Sequence, residues 1–104
     1  MYIKNGSVLY ARIDKKIGEK ELTLQDFQDH LDYVKNIAKE RYLLGGGFSN
    51  FDGGLILFEA ENLEEAQKIA KNDPVIERGF YECEIFVWKL EVLSENNAKG
   101  RLCN

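Results

Sequence analysis

The stretch Tyr42-Leu43-Leu44-Gly45-Gly46-Gly47, continued through Phe51-Asp52-Gly53-Gly54 into Leu55-Ile56-Leu57-Phe58-Glu59-Ala60, decides the fold. It reads as two short apolar strands around a turn. Asp-Gly readily takes the positive φ angles that a tight turn between strands demands, so Phe51 to Gly54 is a hairpin signal. Tyr42-Leu43-Leu44 begins the strand before it, which ends in the three glycines. Leu55 to Ala60 is the strand after it.

Working outward, each side of the hairpin carries one helix and then one strand. On the N-terminal side, Thr23 is a good N-cap and Asp26 supplies the acidic half of a capping box. Leu24, Phe27, Leu31, Val34 and Ala38 follow at helical spacing, which predicts a helix to about Arg41. Ahead of it, Ser7 to Ile13 is rich in β-formers and reads as a strand, joined to the helix by the charged segment Asp14 to Glu21. On the C-terminal side, Asn62 caps a second helix, with Glu64 and Glu65 in its first turn, where the helix dipole favours negative charge. Leu63, Ala66, Ile69 and Ala70 form its apolar face, and Pro74 is expected to stop it. Gly79 opens the last strand, Phe80 to about Val92. The order β-α-β-β-α-β is the α+β, ferredoxin-like arrangement, with two helices on one face of a four-stranded antiparallel sheet.

The other face of that sheet is then exposed to whatever can cover it. A face that meets water should alternate apolar with polar residues. Here Leu55 and Leu57 are apolar on one side and Ile56 and Phe58 on the other. The last strand puts Tyr81, Cys83, Ile85 and Val87 on one side. Phe80, Phe86, Trp88 and Leu90 lie on the other, interrupted by Glu82 and Glu84. An uncovered apolar sheet face is a partner-binding surface, and the simplest partner is a second copy. The expectation is a homodimer through the open sheet face.

With 104 residues the chain holds one domain, expected over residues 1–93, with a polar tail over 94–104. The net charge of −4 and the lack of any basic cluster longer than Lys15-Lys16 argue against nucleic-acid and anionic-membrane partners. No apolar run approaches the roughly 20 residues of a spanning helix. Met1 to Gly6 turns polar before any signal-peptide core develops, so the expected location is cytoplasmic. Cys83 and Cys103 lack CxxC or metal spacing and read as free thiols. With one histidine there is no metal-ligand pattern, and no cofactor motif is present.

That histidine, His30, shares a helix face with Phe27 and Val34. It reads either as a ring packed at the helix–sheet seam or as an acid/base group, since imidazole alone titrates near neutrality. Asp73, in Asn72-Asp73-Pro74, reads as turn chemistry or as a carboxylate that reaches His30 and fixes its tautomer. Gly45-Gly46-Gly47 is neither a Walker loop nor a dinucleotide fingerprint. It supplies either a positive φ or bulge, or room for a ligand beside the backbone. Tyr10, Phe58, Phe86 and Trp88 read as core or interface, and nothing near Cys83 in sequence would lower its pKa for nucleophilic attack.

Taken together, a longer pattern emerges. It runs from His30 through Leu43-Leu44-Gly45-Gly46-Gly47-Phe48, Asp52-Gly53-Gly54, Glu59-Ala60, Glu64-Glu65-Ala66, Asn72-Asp73-Pro74 and Gly79 to Trp88. In order and spacing it resembles the YCII-related (YciI-like) family of the dimeric α+β barrel superfamily, over roughly Val8 to Val92. The resemblance implies a ferredoxin-like protomer, a sheet-to-sheet dimer and a histidine–aspartate pair in a cleft, by position His30 and Asp73. It also implies a small lyase or hydrolase acting on small organic molecules, including ring-cleavage products of aromatic degradation. Gly47 stands where a proline is common, Val75 where an aromatic is common, and Val87 where a proline precedes the tryptophan. Those differences reshape the pocket, so no substrate carries over. The expectation is a cofactor-free enzyme with His30 and Asp73 as its acid/base pair, and with Gly45, Gly46, Gly47 and Phe48 beside the substrate. The alternative is a non-catalytic dimeric ligand-binding or interaction module.

Overall fold

Seven elements build the chain in a computed structural model that describes residues 5–94. They are β1 (Val8–Lys16), α1 (Leu24–Ala38), β2 (Leu43–Gly47), β3 (Gly53–Phe58), α2 (Leu63–Lys71), α3 (Pro74–Glu77) and β4 (Tyr81–Lys89). The sheet order is β2-β3-β1-β4, with every neighbouring pair antiparallel. This is the ferredoxin-like α+β arrangement, with a short third helix added. The Cys103 reading and most of the polar tail lie outside the described residues.

The helix starts follow from their caps. The Thr23 hydroxyl accepts from Asp26 N–H while the Asp26 carboxylate accepts from Thr23 N–H, closing a capping box. Asn62 caps α2 by accepting from Glu65 N–H at 2.8 Å. Several boundaries differ from expectation: β4 ends at Lys89, opposite Val8 where β1 begins, and not near Val92, and β3 ends at Phe58, opposite Leu43 where β2 begins, and not at Ala60. β1 runs on through Asp14, Lys15 and Lys16 because β4 pairs with them as far as Tyr81. α1 ends at Ala38, where the N–H groups of Lys39 and Glu40 turn to Asn36 and Ile37 carbonyls. Gly53 belongs to β3 and not to the turn. A Cβ there would lie 2.2 Å from the Asp14 carbonyl oxygen, so only glycine permits this pairing. Pro74 does not simply stop α2: it opens α3 at the first helical position, where its missing N–H costs nothing.

Register assigns the faces, because residues directly opposite one another point the same way. Tyr10, Arg12 and Asp14 of β1 share a face with Phe58, Ile56 and Gly54 of β3 and with Val87, Ile85 and Cys83 of β4. The helices cover this face. Its core is Tyr10, Ile56, Phe58 and Ala66, with Val34, Leu43 and Ile69 packed against them. Phe58 is 1% exposed, a burial that contributes about 1.5–3 kcal/mol. The Tyr33 hydroxyl donates to the Ile69 carbonyl at 2.7 Å and ties α1 to α2.

α1 contributes no fully buried residue. Val34 reaches the core, but Leu24 and Phe27 of the same apolar stripe stay exposed, and the gap between α1 and the β2–β3 hairpin is an open cleft. On the opposite face of the sheet, Leu44, Phe86 and Trp88 stay exposed, with Leu9 and Ala11 between them.

Candidate active site

Asp73 is fully buried, and three groups that bond its carboxylate explain why it can be. As the N-cap of α3, its Oδ1 accepts from Val75 N–H at 3.1 Å. His30 Nδ1 lies 2.9 Å from Oδ1 and 2.8 Å from Oδ2. Arg12 Nη2 approaches Oδ2 at 3.0 Å. Arg12 is itself 2% exposed and is held from its other side by Asp14, through Nε to Oδ1 and Nη2 to Oδ2, both at 2.8 Å. The result is a chain Asp14–Arg12–Asp73–His30 that runs from the sheet to α1. Among the described residues no buried side-chain nitrogen or oxygen lacks a partner.

The electrostatics follow from that packing. Burial pushes the Asp73 carboxyl upward, but the His30 hydrogen bond, the Arg12 charge and the Val75 N–H outweigh it. The net effect holds Asp73 below the ordinary carboxylate range. Burial also works against the Arg12 cation, yet Asp14 and Asp73 overcome it and raise its pKa. An ionised carboxylate only accepts, so His30 must present its proton on Nδ1 to Asp73. In the neutral ring that leaves the lone pair on Nε2, which has no protein partner among the described residues.

The His30 ring, 17% exposed, lines a cleft of about 500 Å³. Leu31, Val34 and Leu43 make its apolar walls, and Asp14, Lys35 and Tyr81 its polar margin. Gly45, Gly46 and Gly47 line it too. None of the three has a positive φ, which among the described glycines belongs to Gly6, Gly18 and Gly79. A Cβ on Gly46 would meet nothing within 4 Å, and one on Gly47 only a carbonyl oxygen at 3.7 Å. Of the two, the register turns Gly46 to the opposite sheet face, so only the missing side chain of Gly47 leaves space on the cleft side; a Cβ on Gly45 would press on Ile56 at 3.2 Å. Phe48 is elsewhere: it is not on the cleft wall and packs edge-on against Phe51, with ring centroids 5.8 Å apart.

Three site residues escaped the sequence reading. Arg12, Asp14 and Tyr81 sit in strands, where their charge or hydroxyl gave no motif. One signal was available for the first two. Tyr10, Arg12 and Asp14 alternate along β1, so opposite charges two apart point to the same buried face. Tyr81 donates its hydroxyl to Asp52, and burial together with that bond pushes its pKa up to about 12. Cys83 is a half-buried free thiol whose pKa burial also raises, away from thiolate chemistry. Among the described residues no group of three metal-ligating side chains forms, and no helix is long and apolar enough to cross a membrane.

The profile of the YCII-related domain matches residues 8–89. The uncharacterized protein YjpA of Bacillus subtilis (strain 168) is 36% identical over 63 residues, covering 60% of this chain and 74% of that protein. A solved structure, 5-chloro-2-hydroxyhydroquinone dehydrochlorinase (TftG) from Burkholderia phenoliruptrix AC1100 in complex with 2,5-dihydroxybenzoquinone, matches with a TM-score of 0.64. It is 21% identical, and the match covers 78% of this chain and 93% of that one. At that identity the likeness shows the fold, which agrees with the sheet order above.

Proposed function

This chain belongs to the YCII-related family, and from that membership and the His30–Asp73 contact we propose a small enzyme that works by acid/base chemistry, without a cofactor. It acts as a lyase or hydrolase on a small organic molecule. His30 Nε2 takes a proton from the substrate, or from a water that attacks it, and returns that proton to the leaving atom or the product. Asp73 holds the ring with Nε2 toward the cleft and stabilises the imidazolium that each transfer forms. Gly47, on the cleft side of β2, leaves room for the substrate beside the backbone. The observation that carries this reading is the fully buried Asp73, aimed at the Nδ1 of a histidine whose ring borders an open cleft. A dehydrochlorinase of the same fold, solved with a single-ring quinone, agrees with a small-molecule substrate for a cleft of this size.

The test is turnover by the purified protein across small lactones, enols and haloaromatic phenols. His30→Ala should lose about 10²–10⁴-fold in rate with its circular dichroism unchanged. Retained turnover in that variant refutes the assignment.

The protein is proposed to act as a homodimer in the cytoplasm. What supports the dimer is the exposed apolar set Leu44, Phe86 and Trp88 on the sheet face that no helix covers. What supports the compartment is a free Cys83 thiol.

A further inference from the structure

The polar groups around the cleft are unevenly placed. At the His30 end stand Asp14 and Asp73, with only Arg12 between them, so the buried cluster carries one excess negative charge. At the other end, Lys35 borders the cleft. No hydrogen bond or ion pair satisfies its ammonium group among the described residues. Asp32, the nearest carboxylate preceding it on the exposed side of α1, accepts from Gln28 at 2.8 Å instead. Five residues separate His30 from Lys35 on α1, which is about 7.5 Å along the helix axis. Between them Leu31 and Val34 of α1 and Leu43 of β2 line the gap, and the wall is apolar.

We infer that the cleft selects a small organic monoanion: an apolar body of about one ring, with a carboxylate at Lys35 and its uncharged reacting end at His30. This rests on the cleft being the ligand site. Charge complementarity orients such a molecule in one direction only. The carboxylate gains from the unpaired ammonium group at one end and is repelled by the Asp14–Asp73 excess at the other. Ligand sites of this kind take their affinity from apolar walls and their orientation from a few polar groups. Gly47, with no side chain on the cleft side of β2, leaves the body room to lie against that strand.

The probes are 3-phenylpropionate and its neutral amide, titrated into the ¹⁵N-labelled protein while the Gly45, Gly46 and Gly47 amide signals are followed. The acid should bind about threefold to fivefold more tightly than the amide, with the preference fading at high salt. Lys35→Gln, an exposed helix substitution, should bring the acid down to the amide's affinity and leave the amide unchanged. Equal affinities in the native protein, or a preference that survives Lys35→Gln, overturn the anion assignment and leave the cleft reading standing. If neither probe moves the three glycine signals, both fail.

Discussion

Replacing Arg12 by Met removes a charge but nearly keeps the side-chain volume, so it isolates what the guanidinium does. The native side chain makes two bonds to Asp14 at 2.8 Å and one to Asp73 at 3.0 Å, all at a site under 10% exposed. A hydrogen bond to a charged group contributes about 1.5–3 kcal/mol, so the sum of three overshoots, because Met keeps the apolar contacts. Breaking one partner of a buried ion pair costs about 3–5 kcal/mol, since the remaining charges are left uncompensated. That range is the expected loss at pH 7.5, read from urea unfolding followed by far-UV circular dichroism at fixed protein concentration. The pH dependence is a sharper signature. Asp73 has a lowered folded pKa, so its contribution is present above the unfolded carboxylate value, about 3.9, and is lost as pH falls through the lower folded value. In Arg12→Met, protonating Asp73 relieves the buried charge instead. The gap between native and variant should therefore narrow from pH 7.5 to pH 4. Adding Asp14→Asn should recover part of the loss. A loss under about 1 kcal/mol, or a gap that does not change with pH, refutes the account of Arg12 as the cation that permits two buried carboxylates.

What the sequence made legible was local. Capping at Thr23 and Asn62, helical spacing in α1 and the glycine-marked hairpin all act within a few residues, and they place the ferredoxin-like order. What it hid was non-local. Asp14 to Lys16 look like a linker until β4 pairs with them. Gly53 looks like a turn residue until the Asp14 carbonyl arrives against it. Asp73 was legible as turn chemistry, and it is indeed the N-cap of α3. Its distance from His30 depends on α1 and α3 meeting above β1, which no local rule supplies. Arg12 lay hidden because a charged residue within an apolar strand gives no motif, only a phase in the alternation. Phe48 follows the glycines in sequence, but β2 ends before it and the chain turns its ring toward Phe51.

Two further outcomes follow. Gly47→Leu should leave stability within about 1 kcal/mol of native, because its Cβ position is open, while abolishing the probe-induced shifts at Gly45 and Gly46. A larger loss would mean that the glycine serves the fold and not the cleft. Phe86→Glu, on the open sheet face, should turn the proposed dimer into a monomer by sedimentation equilibrium. A native protein that sediments as a monomer contradicts the dimer outright.

The central claim is that Asp73 fixes His30 with its proton on Nδ1 and its lone pair toward the cleft. Because His30 is the chain's one histidine, long-range ¹H–¹⁵N correlation of the imidazole reports it without overlap. In the neutral ring the native protein should show the Nδ1–H tautomer, and Asp73→Asn should shift the population toward Nε2–H. A native ring protonated on Nε2, or a tautomer indifferent to Asp73→Asn, would contradict the account.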